Sequence, residues 1–224
     1  MNVRLVSYTK PTEEFVQEGM SNNDLLDLVA YCARVSNPSN QMNTETSEKL
    51  VKYLIKHAHW SPLEMVNACM EIVTTRDIAH QIVRHRSFAF QEFSQRYAKP
   101  EDQGDMFIYS EARLQDEKNR QNSIEVEDKQ LQTDWLHAQM RIAHLAKKEY
   151  DRAIKMGIAK EQARKLLPEG LTKTTLYMNG TLRSWIHYIE LRGANGTQKE
   201  HMEIAHACAK VITEIFPLAE ELTT

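Results

Sequence analysis

The feature that most constrains the fold is a strict alternation of side-chain character over residues 66–74. Every second position is apolar, namely Val66, Ala68, Met70 and Ile72, and Asn67, Cys69 and Glu71 lie between them. Successive side chains of a strand point to opposite faces, so this pattern predicts a strand with one buried face. Thr74 or Thr75 can then cap a helix over residues 76–86, with Asp77 in its first turn.

Apolar residues at helical spacing predict further helices. They cover residues 23–34, 44–58, most of 124–157, 181–192 and 198–216, and a short strand is predicted over residues 3–8. Residues 99–105 are polar and are predicted to form a loop. Because helices outnumber strands without a βαβ rhythm, we expect an α+β fold with helices packed around a small, mostly antiparallel sheet. A length of 224 residues predicts one domain spanning 1–224.

The charge of the chain is distributed unevenly. The formal net charge is −3, which excludes a strongly basic nucleic-acid coat and a disordered acidic tail. Residues 76–99 carry +3 and residues 160–199 carry +4, so the remaining 160 residues carry −10. The two basic segments therefore indicate binding of anions.

Other classes of protein are excluded by what the sequence lacks. Three scattered cysteines fit a reducing cytoplasm better than a disulfide scaffold. No apolar run approaches 18 residues, and the N-terminus lacks a signal-peptide core, so no membrane partner is expected. No glycine-rich phosphate loop is present, so any phosphate must be bound by side chains.

Residues 84–97 include three arginines, a histidine, a carboxylate and Ser94. On a continued helix, Arg84 and Arg86 would point about 160° apart. Either the helix ends near residue 85 or the two arginines serve different partners. Other interpretations are an ion pair of Arg86 with Glu92, a capping role for Ser94 and a solvated Arg96. The density of guanidinium, amide, hydroxyl and acid groups suits a phosphate and a base edge.

Four ordered motifs resemble those of flavin-dependent thymidylate synthases. The first is RHR at residues 84–86, followed after seven residues by Ser94 and then by Arg96, with Gln81 three residues upstream. The others are HWSP at 59–62, ARKLLP at 163–168 and LRSWIHYIELR at 182–192. They appear in the family's order across residues 59–192, which makes the resemblance specific.

The resemblance implies an activity, cofactors and an assembly. A member of this family is a methyltransferase that converts dUMP to dTMP with methylenetetrahydrofolate as the carbon donor. Its hydride comes from FAD reduced by NADPH. The family also implies a homotetramer whose active sites form between subunits. No metal and no nucleic acid is implied.

The resemblance also assigns residues by position. Residues expected to contact FAD are His59, Ser61, Arg84, His85, Arg86, Glu92, Thr181, Arg183 and His187. Residues expected to hold dUMP are Gln81, Arg84, Glu92, Ser94, Gln95, Arg96, Arg164 and Arg192. Arg192 is the expected catalytic residue, because a fixed cation beside the uracil would favour ionisation of its imide.

The sequence departs from the family pattern at several positions. Gln91 stands where the family usually has asparagine, and Gln95 where it has a small residue. The family asparagine before the last motif falls on Thr181 or on Asn179, and His187 replaces an asparagine of some members. The bulk of Gln95 is expected to reshape the phosphate pocket.

The cysteines lie outside every matched motif. Cys69 is in the predicted strand and Cys208 in an apolar helix, where an inert buried thiol is expected, so no thiol nucleophile is predicted. Ser94 has no evident general base beside it and is interpreted as a dUMP-binding hydroxyl. Two rival hypotheses are a metal site, for which the nine histidines lack ligand spacing, and an RNA-binding module using the aromatic residues near Phe90.

Overall fold

The computed structural model describes residues 1–20 and 25–218. Its main sheet contains strands β1 (Asn2–Tyr8), β2 (Asn67–Thr75), β3 (Phe88–Glu92) and β6 (Lys173–Thr181). The strand order is β1-β2-β6-β3, and every neighbouring pair is antiparallel. A separate hairpin joins β4 (Arg113–Gln115) and β5 (Ser123–Glu125).

The helices occupy much of the remaining described chain. They are α1 (Glu13–Gln17), α2 (Leu25–Ala33), α3 (Ser47–Lys56), α4 (Arg76–Ile82), α5 (Lys129–Lys155), α6 (Lys160–Ala163), α7 (Leu182–Gly193) and α8 (Lys199–Ile215). Short 3₁₀ turns include Ser61–Glu64, Pro100–Gln103 and Arg164–Leu166. The predicted α+β class is confirmed, and residues 23 and 24 of the first predicted helix lie outside the described ranges.

Strand β2 is the predicted half-buried strand. Ala68, Met70 and Ile72 are buried, whereas Asn67 is exposed and Cys69 and Glu71 are half-buried. The buried face lies against α7 and α8, and the indole Nε1 of Trp185 donates a hydrogen bond to the carbonyl of Ala68 at 3.0 Å. The core therefore sits between this face of the sheet and the two C-terminal helices.

Strand β6 was not predicted. It runs between β2 and β3, with Leu176 paired to Ile72 and Met178 paired to Met70. Gly180 lies beside Phe88, and a Cβ atom added there would stand 2.4 Å from Cδ1 of that ring. The close approach of the aromatic ring explains why a glycine occupies the end of this strand.

Helix α4 ends earlier than predicted, at Ile82 instead of residue 86. The backbone then turns, with the His85 amide donating to the Ile82 carbonyl, and enters β3. The boundaries of α8 fall within one residue of the predicted ones, whereas α5 begins at Lys129 and not at residue 124, because Ser123–Glu125 forms β5. In the part of the chain that the structure describes, no helix is long and apolar enough to cross a membrane.

Candidate active site

The turn after α4 presents two arginines to solvent. Arg84 and Arg86 are both exposed, and within residues 1–20 and 25–218 neither side chain forms an ion pair. Because α4 ends at Ile82, the interpretation that the helix ends near residue 85 is confirmed. An ion pair of Arg86 with Glu92 is not formed, because strand β3 separates the two residues.

Glu92 is held at the far end of β3 by other partners. The Nη1 atom of Arg76 lies 3.1 Å from its Oε1 atom, and the Thr174 hydroxyl donates to the same oxygen at 2.9 Å. Arg76 begins α4, so this ion pair joins the start of the helix to the end of the strand. The carboxylate is thus fixed between α4 and β6.

Gln95 and Arg164 share one cavity of about 290 Å³. Gln95 is 3 % exposed, and its buried Nε2 atom has no hydrogen-bond partner. Arg76 and Lys165 also line this cavity, so it brings three cations and an unpaired amide donor together. One acidic residue, Glu169, lies on its wall. Such a cavity suits a small, strongly charged anion.

Ser94 and Arg96 flank Gln95 but do not line that cavity. Ser94 lies with Glu92 in the wall of a larger, more open cavity of about 470 Å³, which also includes Gln91, Tyr97 and Tyr177. Arg96 is exposed, and its Nε atom is 3.8 Å from a carboxylate oxygen of Glu161. Ser94 also begins a turn, since its carbonyl accepts from the amides of residues 97 and 98.

Arg192 extends from the last turn of α7 towards the turn after α4. Its Nε atom donates a hydrogen bond to Nε2 of His85 at 2.9 Å. Burial and the neighbouring guanidinium both lower the pKa of His85, so this imidazole is neutral near pH 7. Among the residues that the structure describes, no carboxylate forms an ion pair with Arg192. The positive charge of Arg192 is therefore available to an anionic ligand.

Gln81 lies one turn before this pair, is half-buried, and contacts the buried side chain of His201. The Nδ1 atom of His201 is 3.3 Å from the Gln81 Oε1 atom, and its Nε2 atom is 3.1 Å from the Tyr188 hydroxyl. Burial, reinforced by Arg192 and His85, lowers the pKa of His201 to about 4. Burial also raises the pKa of Tyr188. The Gln81 amide thus contacts a neutral imidazole.

The HWSP segment faces the start of α7. His59 and Ser61 are exposed next to the 3₁₀ turn, whose Glu64 forms an ion pair with Arg183. The Trp60 and His187 rings meet edge to face with centroids 4.6 Å apart. These residues form a third group, apart from the Gln95 cavity and from Arg192.

Thr181, which is expected to contact FAD, also has a structural role. It is the N-cap of α7, and its hydroxyl accepts from the Ser184 amide at 3.2 Å. Asn179 lies on the solvent-exposed face of β6, opposite Cys69 and Ala89. Either residue remains a candidate for a ligand contact.

The predicted site residues thus fall into separate groups. Gln81, Arg84, His85, Arg86 and Arg192 lie near one end of β3, and Glu92, Ser94, Gln95, Arg96 and Arg164 lie near the other. The five residues of β3 span about 13 Å. The two sets of dUMP candidates are therefore not brought together within one chain.

Sequence reasoning missed four residues of these groups. Arg76 and Lys165 line the basic cavity, while His201 contacts Gln81 and Tyr188 contacts His201. The first two were visible as part of the basic segments. No pattern in the sequence pointed to the pairing of Tyr188 with His201, which join different helices.

The cysteines lack the environment of a reactive thiolate. Cys208 is fully buried, and Cys32 and Cys69 are half-buried, so the expectation of a buried Cys69 is corrected. Burial raises the pKa of all three thiols. In the two described ranges, no group of three or more histidine, cysteine, aspartate or glutamate residues is arranged to hold a metal ion.

Comparisons with known proteins agree with these features. Residues 20–218 match the family model described as "Thymidylate synthase complementing protein". A probable flavin-dependent thymidylate synthase of Paramecium bursaria Chlorella virus 1 is 48 % identical over 217 residues, covering 97 % of this chain and 96 % of the relative. A flavin-dependent thymidylate synthase of Synechocystis sp. is 46 % identical with the same coverage.

A solved structure has the same fold. The UMP/dUMP methylase PolB from Streptomyces cacaoi, bound with 5-Br dUMP, superposes with a TM-score of 0.80. The match covers 99 % of this chain and 93 % of that one at 21 % identity. At this identity the similarity establishes the architecture alone.

Proposed function

The chain belongs to the thymidylate synthase complementing protein family, that of the flavin-dependent thymidylate synthases, and from this premise we propose that it methylates dUMP to dTMP. The carbon comes from methylenetetrahydrofolate, and NADPH is the reductant. The observation that carries the proposal is the uncompensated Arg192 guanidinium held against a neutral His85.

The residues present fit the cofactor FAD. Its pyrophosphate carries negative charge, and Arg84 and Arg86 offer two exposed guanidiniums without an ion pair in the described chain. His59, Ser61, His85, Glu92, Thr181, Arg183 and His187 are the other proposed contacts. When bound, FAD would supply the hydride that completes the methyl group.

The cavity beside Gln95 suits the phosphate of dUMP. Guanidinium groups bind phosphate oxygens in pairs, and Arg164 and Arg76 both line this space. The unpaired Nε2 atom of Gln95 would gain an acceptor when the phosphate enters. Arg84, Gln81, Glu92, Ser94 and Arg96 are the remaining proposed dUMP contacts.

Arg192 is the proposed catalytic residue. Its charge beside the uracil favours loss of the imide proton, which increases electron density at carbon 5 for attack on the methylene donor. His85 orients the guanidinium through Nε and remains neutral, so it does not reduce the charge that reaches the substrate. An arginine can do this without losing its own proton.

The sites are proposed to form between subunits of a homotetramer. The proposed dUMP-binding residues lie in two sets at opposite ends of β3. This separation supports the assembly, because residues from a second chain can complete the binding site at each end. Helix α5 also exposes large apolar side chains, and Trp135, Ile142 and Leu145 lie on one side of it. Burial of such a surface is a driving force for association.

A reconstitution experiment tests the proposed activity. The purified protein, supplied with FAD, is incubated with dUMP, methylenetetrahydrofolate and NADPH, and dTMP is measured by chromatography. We expect a yellow, FAD-binding protein that forms dTMP only when all three substrates are present. A protein that binds no FAD but shifts RNA in a salt-sensitive manner would contradict the proposal and favour the RNA-binding alternative.

The three free cysteines support a reducing cytoplasm as the location of this protein.

A further inference from the structure

An unbroken series of hydrogen bonds connects the start of α8 to the interior of α7. The Gln198 Nε2 atom donates to Glu200 Oε2 at 3.1 Å, and the Gln81 Nε2 atom donates to Gln198 Oε1 at 2.8 Å. His201 lies beyond Gln81, and Tyr188 lies beyond His201, at 3.3 Å and 3.1 Å. We call these five residues the Glu200–Tyr188 chain.

The carboxylate of Glu200 sets the direction of every bond in this chain. An ionised carboxylate accepts only, and Arg113 forms an ion pair with its other oxygen. Gln198 must therefore present its NH₂ group to Glu200 and its carbonyl oxygen to Gln81. The Gln81 amide is then oriented in the same sense, with its carbonyl oxygen towards His201.

The orientation of Gln81 in turn determines the proton position on His201. The Nδ1 atom faces a carbonyl oxygen, so it carries the proton and donates. The Nε2 atom then accepts from the Tyr188 hydroxyl. Burial keeps the imidazole neutral, and the side chain is 0 % exposed. The donor and the acceptor are thus defined in every hydrogen bond of the series.

We propose that the Glu200–Tyr188 chain is a positioning device that presents the Gln81 amide to dUMP in a single orientation, with His201 as its key positioning residue. The inference rests on the proposed function, in which Gln81 contacts dUMP. The chain uses one N–H group and one lone pair of this amide and leaves the others for a ligand. An amide already held in place loses less conformational entropy when the substrate binds.

A double-mutant cycle tests whether His201 acts through Gln81. His201→Leu removes the donor to Gln81, and His201→Asn keeps an N–H group near the position of Nδ1. We expect His201→Leu to raise the KM for dUMP about fivefold, the net value of one hydrogen bond, and His201→Asn to restore much of this loss. In a Gln81→Ala background, His201→Leu should cause no further rise.

A second variant tests the chain from the end formed by Glu200. Glu200→Gln keeps the shape of the side chain, but the new amide can donate as well as accept. It therefore no longer imposes one direction on the hydrogen bonds of the chain. The matched control is Glu203→Gln, an exposed residue of the same helix. We expect a higher KM for dUMP with Glu200→Gln alone, while kcat changes less and the bound FAD content stays constant.

Three results would overturn the inference. An equal effect of His201→Leu with and without Gln81 would make His201 a structural residue only. An unchanged KM for dUMP with Glu200→Gln would show that Glu200 does not set the direction of the hydrogen bonds in the chain. An unchanged KM for dUMP in an active Gln81→Ala variant would show that Gln81 does not contact dUMP, so the chain would have no binding group to position. The proposed function would still stand. Failure of the unaltered protein to form dTMP would instead count against the proposed function itself.

Discussion

The Nε atom of Arg192 donates a hydrogen bond to Nε2 of His85, and the two residues are 107 positions apart in the sequence. An arginine buried against a carboxylate would have its charge largely neutralised. Here the partner is a neutral imidazole, whose pKa is lowered by burial and by Arg192 itself. The pair therefore fixes the guanidinium without cancelling its charge.

Gln95 provides a prediction about substrate affinity. Its buried Nε2 atom has no partner in the free protein, so Gln95→Ala removes no existing hydrogen bond of that atom. We expect the variant to raise the KM for dUMP about tenfold, because a donor to a charged phosphate is lost. Thermal unfolding should change little by comparison. A stability loss without a KM change would contradict a binding role for Gln95.

The cysteines provide a prediction about mechanism. Since the pKa values of all three thiols are raised by burial, none is a good nucleophile near pH 7. The triple variant Cys32→Ser, Cys69→Ser, Cys208→Ala should therefore still form dTMP. The last change is to alanine because Cys208 lies in the apolar core. Complete loss of dTMP formation in a folded variant with normal FAD content would support a thiol mechanism instead.

Gly180 provides a prediction about stability. Gly180→Ala would place a Cβ atom 2.4 Å from Phe88, whose ring packs on Trp185. The resulting displacement should lower the free energy of unfolding by about 1–3 kcal/mol, as measured by urea denaturation. Gly170→Ala is the control, because its nearest neighbour, Asp77 Oδ2, is 3.9 Å away. Equal effects at the two glycines would argue against the close approach.

His201 provides a prediction about the pH dependence of stability. Its pKa is about 4 in the folded protein and about 6.5 in an unfolded chain. The unfolded state therefore binds the extra proton first, and stability is lost as the pH falls from about 6.5 to 4, by up to about 3 kcal/mol. The free energy of unfolding, measured with urea at several pH values in this range, should change less steeply with pH for His201→Asn than for the unaltered protein. An exposed control, His206→Asn, should keep the original slope.

Much of the fold follows from local patterns. The alternation around Met70 predicted β2, and the apolar spacing over 181–192 predicted α7, whose buried residues include Trp185 and Ile189. Strand β6 escaped prediction because its buried face is not uniformly apolar. Thr174 is buried with its hydroxyl on Glu92, and Gly180 has no side chain to reveal its burial. The burial of both residues depends on tertiary contacts, which the sequence does not show.

The candidate site was predictable as a set of residues but not as an arrangement. The spacing of the motifs indicated Arg84, Gln95 and Arg192, yet it could not show that β3 places the first two at opposite ends. It also suggested Arg86 as the ion-pair partner of Glu92, whereas the partner is Arg76, which reaches that carboxylate only after α4 folds back along the strand. Such relationships depend on the packing of α4 against the sheet.

The most direct test of the account is the rate of dTMP formation by Arg192→Ala, measured together with NADPH oxidation and bound FAD. We predict that dTMP formation is abolished, while FAD binding and NADPH oxidation persist at least partly. Arg152→Ala, a change at an exposed arginine of α5, should retain the original rate. Normal dTMP formation by Arg192→Ala would contradict the assignment of Arg192 as the residue that activates the uracil ring.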